Sequence, residues 1–280
     1  MFKPVQELPG EDQTMLAPAE RTRDCIDTTA RFQEADAVRL NRMFRGTETI
    51  EMLETLLREQ MAGDVAIVSS FGAESAVLLH LVSRIDPNVP VLFLDTGKHF
   101  PETLAYRDEV IARLGLTDVR NLAPEPEEVA KRDENGLRWS FDPDGCCEIR
   151  KVKPLAKALA GFDATITGRK AFQAKTRSSL PRFEIDSTDK QGRLKINPLI
   201  DWTAEDIAAY IAEHDLPAHP LVAEGYPSIG CSPCTSKVAP GEDPRSGRWK
   251  GWDKVECGIH VPGQSDVVPG ELPPGYEPAF

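Results

Sequence analysis

Apolar positions in this chain follow two rhythms, short continuous runs and helical spacings, and the two alternate. Thr47 to Gln60 sets Ile50, Leu53, Leu56 and Leu57 at helical spacing, which predicts a covering helix. Val65 to Val68 is a short apolar run that reads as a strand; it enters SSFGAES (Ser69 to Ser75), and AVLLHLV then continues on a helical pattern. The run PVLFLD (Pro90 to Asp95) predicts a second strand ending in TGKHFPET, with a helix over Thr103 to Leu114 and Pro101 in its first turn. Further short strands are expected near Val119 to Leu122, Ala164 to Thr167 and Ile196 to Ile200, and helices over Glu148 to Leu159 and Ala204 to Glu213. Such alternation predicts an α/β fold, a mainly parallel sheet flanked by helices. No internal repeat or low-complexity tract interrupts it.

The ends fit this pattern less well. Residues 1–45 carry scattered charge and little periodicity and read as a loosely attached arm or helix, in which Cys25 is given no role. Residues 46–240 form the expected domain, and 241–280 a mobile C-terminal segment, rich in Pro and Gly from Val261 onward. No apolar run approaches the roughly 20 residues of a membrane span. The acidic, Pro-containing start MFKPVQELPGEDQ has no secretory pattern, so a cytoplasmic protein is expected. A net charge of -12 argues against general nucleic-acid binding but leaves room for an anionic small ligand in a local cluster of Arg and Lys.

Four of the 6 cysteines stand in two pairs, Cys146-Cys147 and the GCSPC pair Cys231 and Cys234. Two cysteines separated by two residues can grip one metal centre. Adjacent cysteines have Cα atoms about 3.8 Å apart, below the usual disulfide range, and lack the spacer of common zinc knuckles. An iron-sulfur cube accepts neighbouring ligands at separate corners, so a 4Fe-4S cluster is the favoured reading, with zinc and unliganded thiols the alternatives.

Anion-binding features recur at the predicted strand ends. In SSFGAES a strand, a Gly-containing loop and a helix N-terminus would offer backbone N–H groups to a phosphate or sulfate, with Ser69, Ser70 and Ser75 as further donors and Gly72 allowing close approach; a plain strand-to-helix turn is the bland alternative. Leu94, Asp95, Gly97 and Lys98 occupy the second strand tip, where α/β sheets place ligand groups. GRKAFQAKTR (Gly168 to Arg177) is a basic loop containing Arg169, Lys170, Lys175 and Arg177. Arg245 and Arg248 lie in the Gly/Pro-rich stretch Pro240 to Gly251, which reads as a lid or as a solvated loop. Lys151 follows the adjacent cysteines and suits a polyanion beside a thiolate-bound cluster, whereas Lys153 reads as solvated. Cys257, in ECGIH, stands outside both pairs. Gly258 would leave its thiol accessible, and His260 or nearby arginines would favour the thiolate.

In order, SSFGAES, LDTGKHFPET, CCEIRKVKPL, GRKAFQAKTR, GCSPC, the Arg245/Arg248 loop and ECGIH resemble the assimilatory adenylyl-sulfate reductases, of one family with the phosphoadenylyl-sulfate reductases; the resemblance runs from about residue 47 to 260. It implies a sheet of the adenine nucleotide alpha-hydrolase (PP-loop) type and one 4Fe-4S cluster per chain on Cys146, Cys147, Cys231 and Cys234. It further implies that Cys257 attacks the sulfur of adenylyl sulfate, that AMP leaves, and that thioredoxin or a similar dithiol releases sulfite from an S-sulfocysteine. Lys151, Arg169, Arg177, Arg245 and Arg248 match positions that surround the phosphosulfate. By the same resemblance, the presence of both cysteine pairs implies adenylyl sulfate over its 3'-phosphorylated form, and Glu74 is read as a poor neighbour for the additional phosphate. Ala171-Phe172 departs from the more polar pair of many relatives. A phosphoadenylyl-sulfate reductase retaining the cluster, an ATP-using sulfur transferase and a non-catalytic metal-stabilised nucleotide-binding regulator are the competing readings. Self-association is left open.

Overall fold

The structure, a computed structural model, describes residues 31–189 and 192–259. Its strands are β1 (Val65–Ser69), β2 (Val91–Leu94), β3 (Val119–Leu122), β4 (Ala164–Thr167), β5 (Phe183–Ile185) and β6 (Leu194–Ile196). Around them pack helices α1 (Glu34–Met43), α2 (Thr49–Arg58), α3 (Ser75–Ser83), α4 (Pro101–Leu114), α5 (Pro126–Arg132), α6 (Pro143–Cys147), α7 (Lys153–Leu159), α8 (Ala204–Glu213) and α9 (Pro220–Ala223). The sheet order is β3-β2-β1-β4-β6-β5, parallel throughout except for β5 against β6. This is the mainly parallel, helix-flanked sheet expected from the alternating runs. The chain winds outward from β1 to β2 and β3 on one side and continues from β4 on the other, so β1 and β4 flank a crevice at their C-terminal ends where ligands enter such sheets.

Apolar runs become strands here because both sheet faces are covered: β2 and β4 are buried at every position. On one face Ile67, Val91, Phe93 and Ile166 join Leu79, Leu81 and Met52 from the helices; on the other Ala66, Leu92 and Leu94 meet Leu155 and Leu159 of α7. Helix α4 starts with Pro101 in its first turn and ends at Gly115, whose φ of 64° closes the helix in the left-handed region. Among the described residues no helix is long and apolar enough to cross a membrane.

Three local features differ from the sequence pattern. Residues 32–44, read as part of an arm or helix, are firmly packed: α1 contributes Ala37 and Leu40 to the main core, flanked by Phe32 and Phe44, and Asn41 bonds both ways with the backbone of Phe183. Only Ala37 and Leu40 of its apolar residues face the core, Val38 and Met43 being exposed, so the helix shows little periodicity. The strand expected at Ile196 to Ile200 runs instead from Leu194 to Ile196, since Pro198 lacks an N–H for a ladder, and the edge strand β5 escaped notice because FEI makes no apolar run. The helix expected from Glu148 begins earlier, at Pro143, and passes from α6 through a π-helical stretch, Glu148–Val152, into α7. Pro154 has no N–H to offer the carbonyl of Arg150, which explains why the regular ladder breaks there.

If α1 belongs to the domain core, Leu40→Ala is expected to destabilise the fold by about 2–5 kcal/mol in urea titration, whereas truncating a side chain on a loose arm changes little.

Candidate active site

The β1–α3 loop closes on itself before it offers anything to a ligand. Phe71 sits at φ 46°, in the left-handed region, with its ring fully buried and edge-on to Phe93. The Ser69 hydroxyl accepts from the Phe71 N–H at 3.2 Å and the Ser75 hydroxyl donates to the Gly72 carbonyl at 2.7 Å. Both hydroxyls thus shape the loop, while Ser70 is left exposed at the cavity. The strained Phe71 backbone is held by its buried ring.

A cavity of about 430 Å³ lies over the ends of β1, β2 and β4. Most of the residues singled out from sequence line it, among them Ser69, Ser70, Gly72, Glu74, Ser75 and Leu94, then Lys151, Arg169, Lys170, Arg177, Arg245, Arg248 and Cys257. Asp95 and Gly97 do not. They form a tight turn, the Asp95 carboxylate accepting from the Gly97 N–H at 3.1 Å, and it is Thr96 between them that turns inward to the Cys231 sulfur at 3.3 Å. Strand tips alternate sides, so the central residue of this turn, not its polar neighbours, reaches the thiols.

The two cysteine pairs meet because three loops are stitched together. The GCSPC loop bridges to the β2–α4 loop through His99 and Cys231, with the Ser232 N–H on the Lys98 carbonyl at 2.8 Å. The following strand-like stretch pairs with the Arg248 loop, through Ser236 N–H to Gly247 O at 2.8 Å and Trp249 N–H to Cys234 O at 3.1 Å. Arg150, on the π-helical stretch, ties the cysteine helix to the same place with its guanidinium on Asp133 at 2.7 Å and on the Thr96 carbonyl at 2.8 Å. Cys146, Cys147 and Cys231 are buried and Cys234 half-buried, all as free thiols.

Electrostatically these thiols form one group. Burial, together with the neighbouring Cys231, pushes Cys146 up to about 11, and burial raises Cys147 to about 12 against the pull of Lys151. Burial likewise raises Cys234. Cys231 alone is lowered: burial opposes its charge, but Lys151, the Thr96 hydroxyl and Arg248 outweigh it. Burial opposes the Lys151 ammonium too, yet Cys231, Cys147 and Cys257 raise its pKa above that of an ordinary lysine. Among the described residues no carboxylate pairs with Lys151 or Arg248, and no three His, Cys, Asp or Glu side chains form a site for a single metal ion. Four clustered thiols beside uncompensated cations do suit a polynuclear centre that carries net negative charge, which is the fit required of an iron-sulfur cluster.

The remaining cations are largely spoken for. Arg169 is buried against Glu184 and Asn197, and Arg177 is forked onto Glu256 at 2.8 and 2.9 Å. Arg245 donates to the Val255 carbonyl at 2.6 Å. Glu74, read from sequence as a repulsive charge, is instead neutralised by buried Lys170 at 2.8 Å and accepts from Gln173 at 2.8 Å. Arg248 lies on the Trp249 ring, 4.5 Å from its centroid, and donates to Cys234 O at 3.3 Å. Gly230 leaves room for it, because a Cβ there would stand 2.2 Å from the Arg248 guanidinium and push that side chain aside. Phe172 of the Ala171-Phe172 pair is half-exposed at the cavity wall. Thr96, Trp249, Lys254 and Glu256 were missed by sequence reasoning, and Lys170 was read only as one charge of the basic loop; only Trp249, an aromatic inside a basic Gly/Pro loop, and Glu256, adjacent to Cys257, carried a readable signal. His260 lies outside the described residues, as do Cys25 and the tail from Val261.

A nucleotide-sized cavity at the switch point of a parallel sheet, walled by guanidinium groups and faced by a thiol, defines a nucleotide-dependent enzyme of the α/β class. Residues 64–237 match the phosphoadenosine phosphosulfate reductase domain, and the chain belongs to that family. It is 48% identical over 246 residues to a protein of Mesorhizobium japonicum named adenosine 5'-phosphosulfate reductase, spanning 88% of this chain and 94% of that one. A protein of the same name from a Chelativorans species is 50% identical over 214 residues, covering 76% and 85%. Among solved structures, a phosphoadenylyl-sulfate reductase from Candida auris in complex with phosphate superposes with a TM-score of 0.61 at 28% identity, covering 75% of this chain and 100% of that one.

Gly230→Ala is expected to dislodge the Arg248 guanidinium and weaken AMP binding about tenfold in calorimetric titration, with thermal stability little changed. Undiminished affinity would remove Arg248 from the anion site.

Proposed function

We propose that this protein reduces adenylyl sulfate to sulfite and AMP, with Cys257 as nucleophile and a thioredoxin-type dithiol as electron donor. The observation that carries the reading is that Cys257 faces the same cavity as the β1–α3 loop while interacting with Lys151. The Cys257 thiolate attacks the sulfate sulfur, an S–S bond forms, and the bond from sulfur to the phosphate oxygen breaks, that electron pair leaving with AMP. A thiolate of the donor then attacks the Cys257 sulfur, and sulfite departs with the electron pair of the S–S bond. The donor's second thiol resolves the mixed disulfide and restores Cys257, so that sulfur gains two electrons as a dithiol becomes a disulfide. Arg248 and Lys151, the cavity-lining cations without carboxylate partners among the described residues, would offset charge building on the phosphosulfate in the transition state.

Cys146, Cys147, Cys231 and Cys234 are the residues that would hold a 4Fe-4S cluster. When bound, the cluster supplies a clamp between α6 and the GCSPC loop and a negative charge beside Lys151; the thiol chemistry is complete without passing electrons through it. Lys151 would then orient between that charge and the substrate anion. The reaction would serve sulfate assimilation.

One observation favours a second reading. Because Lys170 neutralises Glu74, that carboxylate gives no electrostatic ground for rejecting a 3'-phosphate, and phosphoadenylyl sulfate stays a candidate substrate. Sulfite release by anaerobically purified protein with reduced thioredoxin, each nucleotide tested alone, decides between them; preference for adenylyl sulfate is expected, and preference for the phosphorylated form would move the assignment. In the same assay Cys257→Ser should bind nucleotide normally and release no sulfite. Cys234→Ala should lose iron, acid-labile sulfide and brown colour. Lys151→Ala should lower turnover roughly a hundredfold while keeping its iron, and loss of iron instead would make Lys151 a support of the cluster.

A further inference from the structure

The segment that carries Cys257 is held by its neighbour. The Glu256 carboxylate takes both Nε and Nη2 of Arg177, at 2.8 and 2.9 Å, in a fork in which each side chain is only 11% exposed. Arg245 completes the seat, with Nη2 at 2.6 Å from the Val255 carbonyl and 3.5 Å from Glu256. Arg177 does not end there. Its Nη1 donates to the Gln173 side-chain oxygen at 2.7 Å, the Gln173 amide donates to Glu74 at 2.8 Å, and Glu74 pairs with Lys170 at 2.8 Å. Glu256, Arg177, Gln173, Glu74 and Lys170 all line the cavity, so an unbroken polar chain runs along its wall from the β1–α3 loop to the residue beside the thiol.

We propose that Glu256 is a positioning residue, which seats Cys257 over the cavity through its fork with Arg177 and Arg245. The inference rests on Cys257 being the nucleophile, and it reassigns Arg177, expected from sequence to face the phosphosulfate, to holding the thiol. A largely buried bidentate pair is rigid where a lone hydrogen bond would swing, and attack at sulfur is sensitive to misplacement of the thiolate by as little as an ångström. On the far side of Cys257, Ile259 packs against the cluster of Leu94 and Leu155, so the thiol is pinned between a polar anchor and an apolar one. Lys254, paired with Asp144 in the first turn of the cysteine helix, fixes the approach of the segment from the other direction. Delivery of the S-sulfo group to an external dithiol then requires the fork to open, and Glu256 becomes the contact whose rupture releases the segment.

The test uses full-length, iron-loaded protein and two readouts. In single-turnover reactions with adenylyl sulfate, Glu256→Gln is expected to slow S-sulfocysteine formation roughly tenfold or more, with the KM for adenylyl sulfate and the AMP affinity within about twofold of the wild type. Glu256→Asp should recover part of that rate. Independently, alkylation of Cys257 by iodoacetamide, mapped by peptide mass spectrometry, should accelerate severalfold in Glu256→Gln, since the released thiol becomes more accessible. Tighter nucleotide binding with an undiminished rate would overturn the proposal, making Glu256 a competitor of the substrate for Arg177. Unchanged alkylation and rate would overturn it as well. If wild-type protein forms no S-sulfocysteine, the reductase reading fails, while alkylation still decides whether Glu256 holds Cys257.

Discussion

A lysine ammonium set among thiols is the interaction on which this site depends. Lys151 has no carboxylate partner among the described residues, and the groups that sustain its charge are Cys231, Cys147 and Cys257. A buried cation without a counter-ion is costly, and so is a buried thiolate; together each makes the other tolerable. The pairing joins the two halves of the site. Cys147 and Cys231 belong to the metal-type cysteine pairs, Cys257 to the cavity, and Lys151 is electrostatically coupled to all three. One side chain is thus shared between the cysteine pairs and the cavity thiol.

Around that lysine the other charges divide into two kinds. Arg150, Arg169, Arg177 and Lys170 are buried and consumed by Asp133, Glu184, Glu256 and Glu74, so their contribution is to hold loops in register. Breaking one of these pairs leaves an uncompensated charge in a buried setting, which costs more than the pair contributes when intact. Arg248 and Lys151 are the uncommitted ones, and a cavity wall with few uncommitted cations gives an anion a defined place to settle. Net charge of the whole chain, -12, would never have suggested it.

Much of this was legible in the sequence, and the failures have physical causes. Strands β1, β2 and β4 could be read because sheets buried on both faces demand unbroken apolar runs, and the cysteine pairs because their spacing is unusual. Helix α1 was underestimated: Ala37 and Leu40 are its only buried positions while Val38 and Met43 face outward, so its apolar residues show no single-faced period. Asp95 and Gly97 were chosen for their chemistry, whereas the direction in which a tight turn points its side chains belongs to backbone geometry, and Thr96 proved to be the inward one. Glu74 misled in the opposite sense. A charge is visible in a sequence, but its partner Lys170, nearly a hundred residues away, becomes its neighbour only when β1 and β4 lie side by side.

The π-helical stretch between α6 and α7 bears on how one helix serves two masters. In a regular α-helix successive residues turn by about 100°, so the faces at its two ends are locked in phase. Here Cys146 and Cys147 must face the GCSPC loop, while Leu155 and Leu159 must face the sheet beside Leu92 and Leu94. The wider turn over Glu148–Val152 inserts an angular offset between these faces, much as a spacer corrects the timing between two cogs on one shaft. The cysteine end and the core end are thereby free to evolve their own orientations, and Lys151, lying within the offset, inherits a direction that neither face alone would have given it.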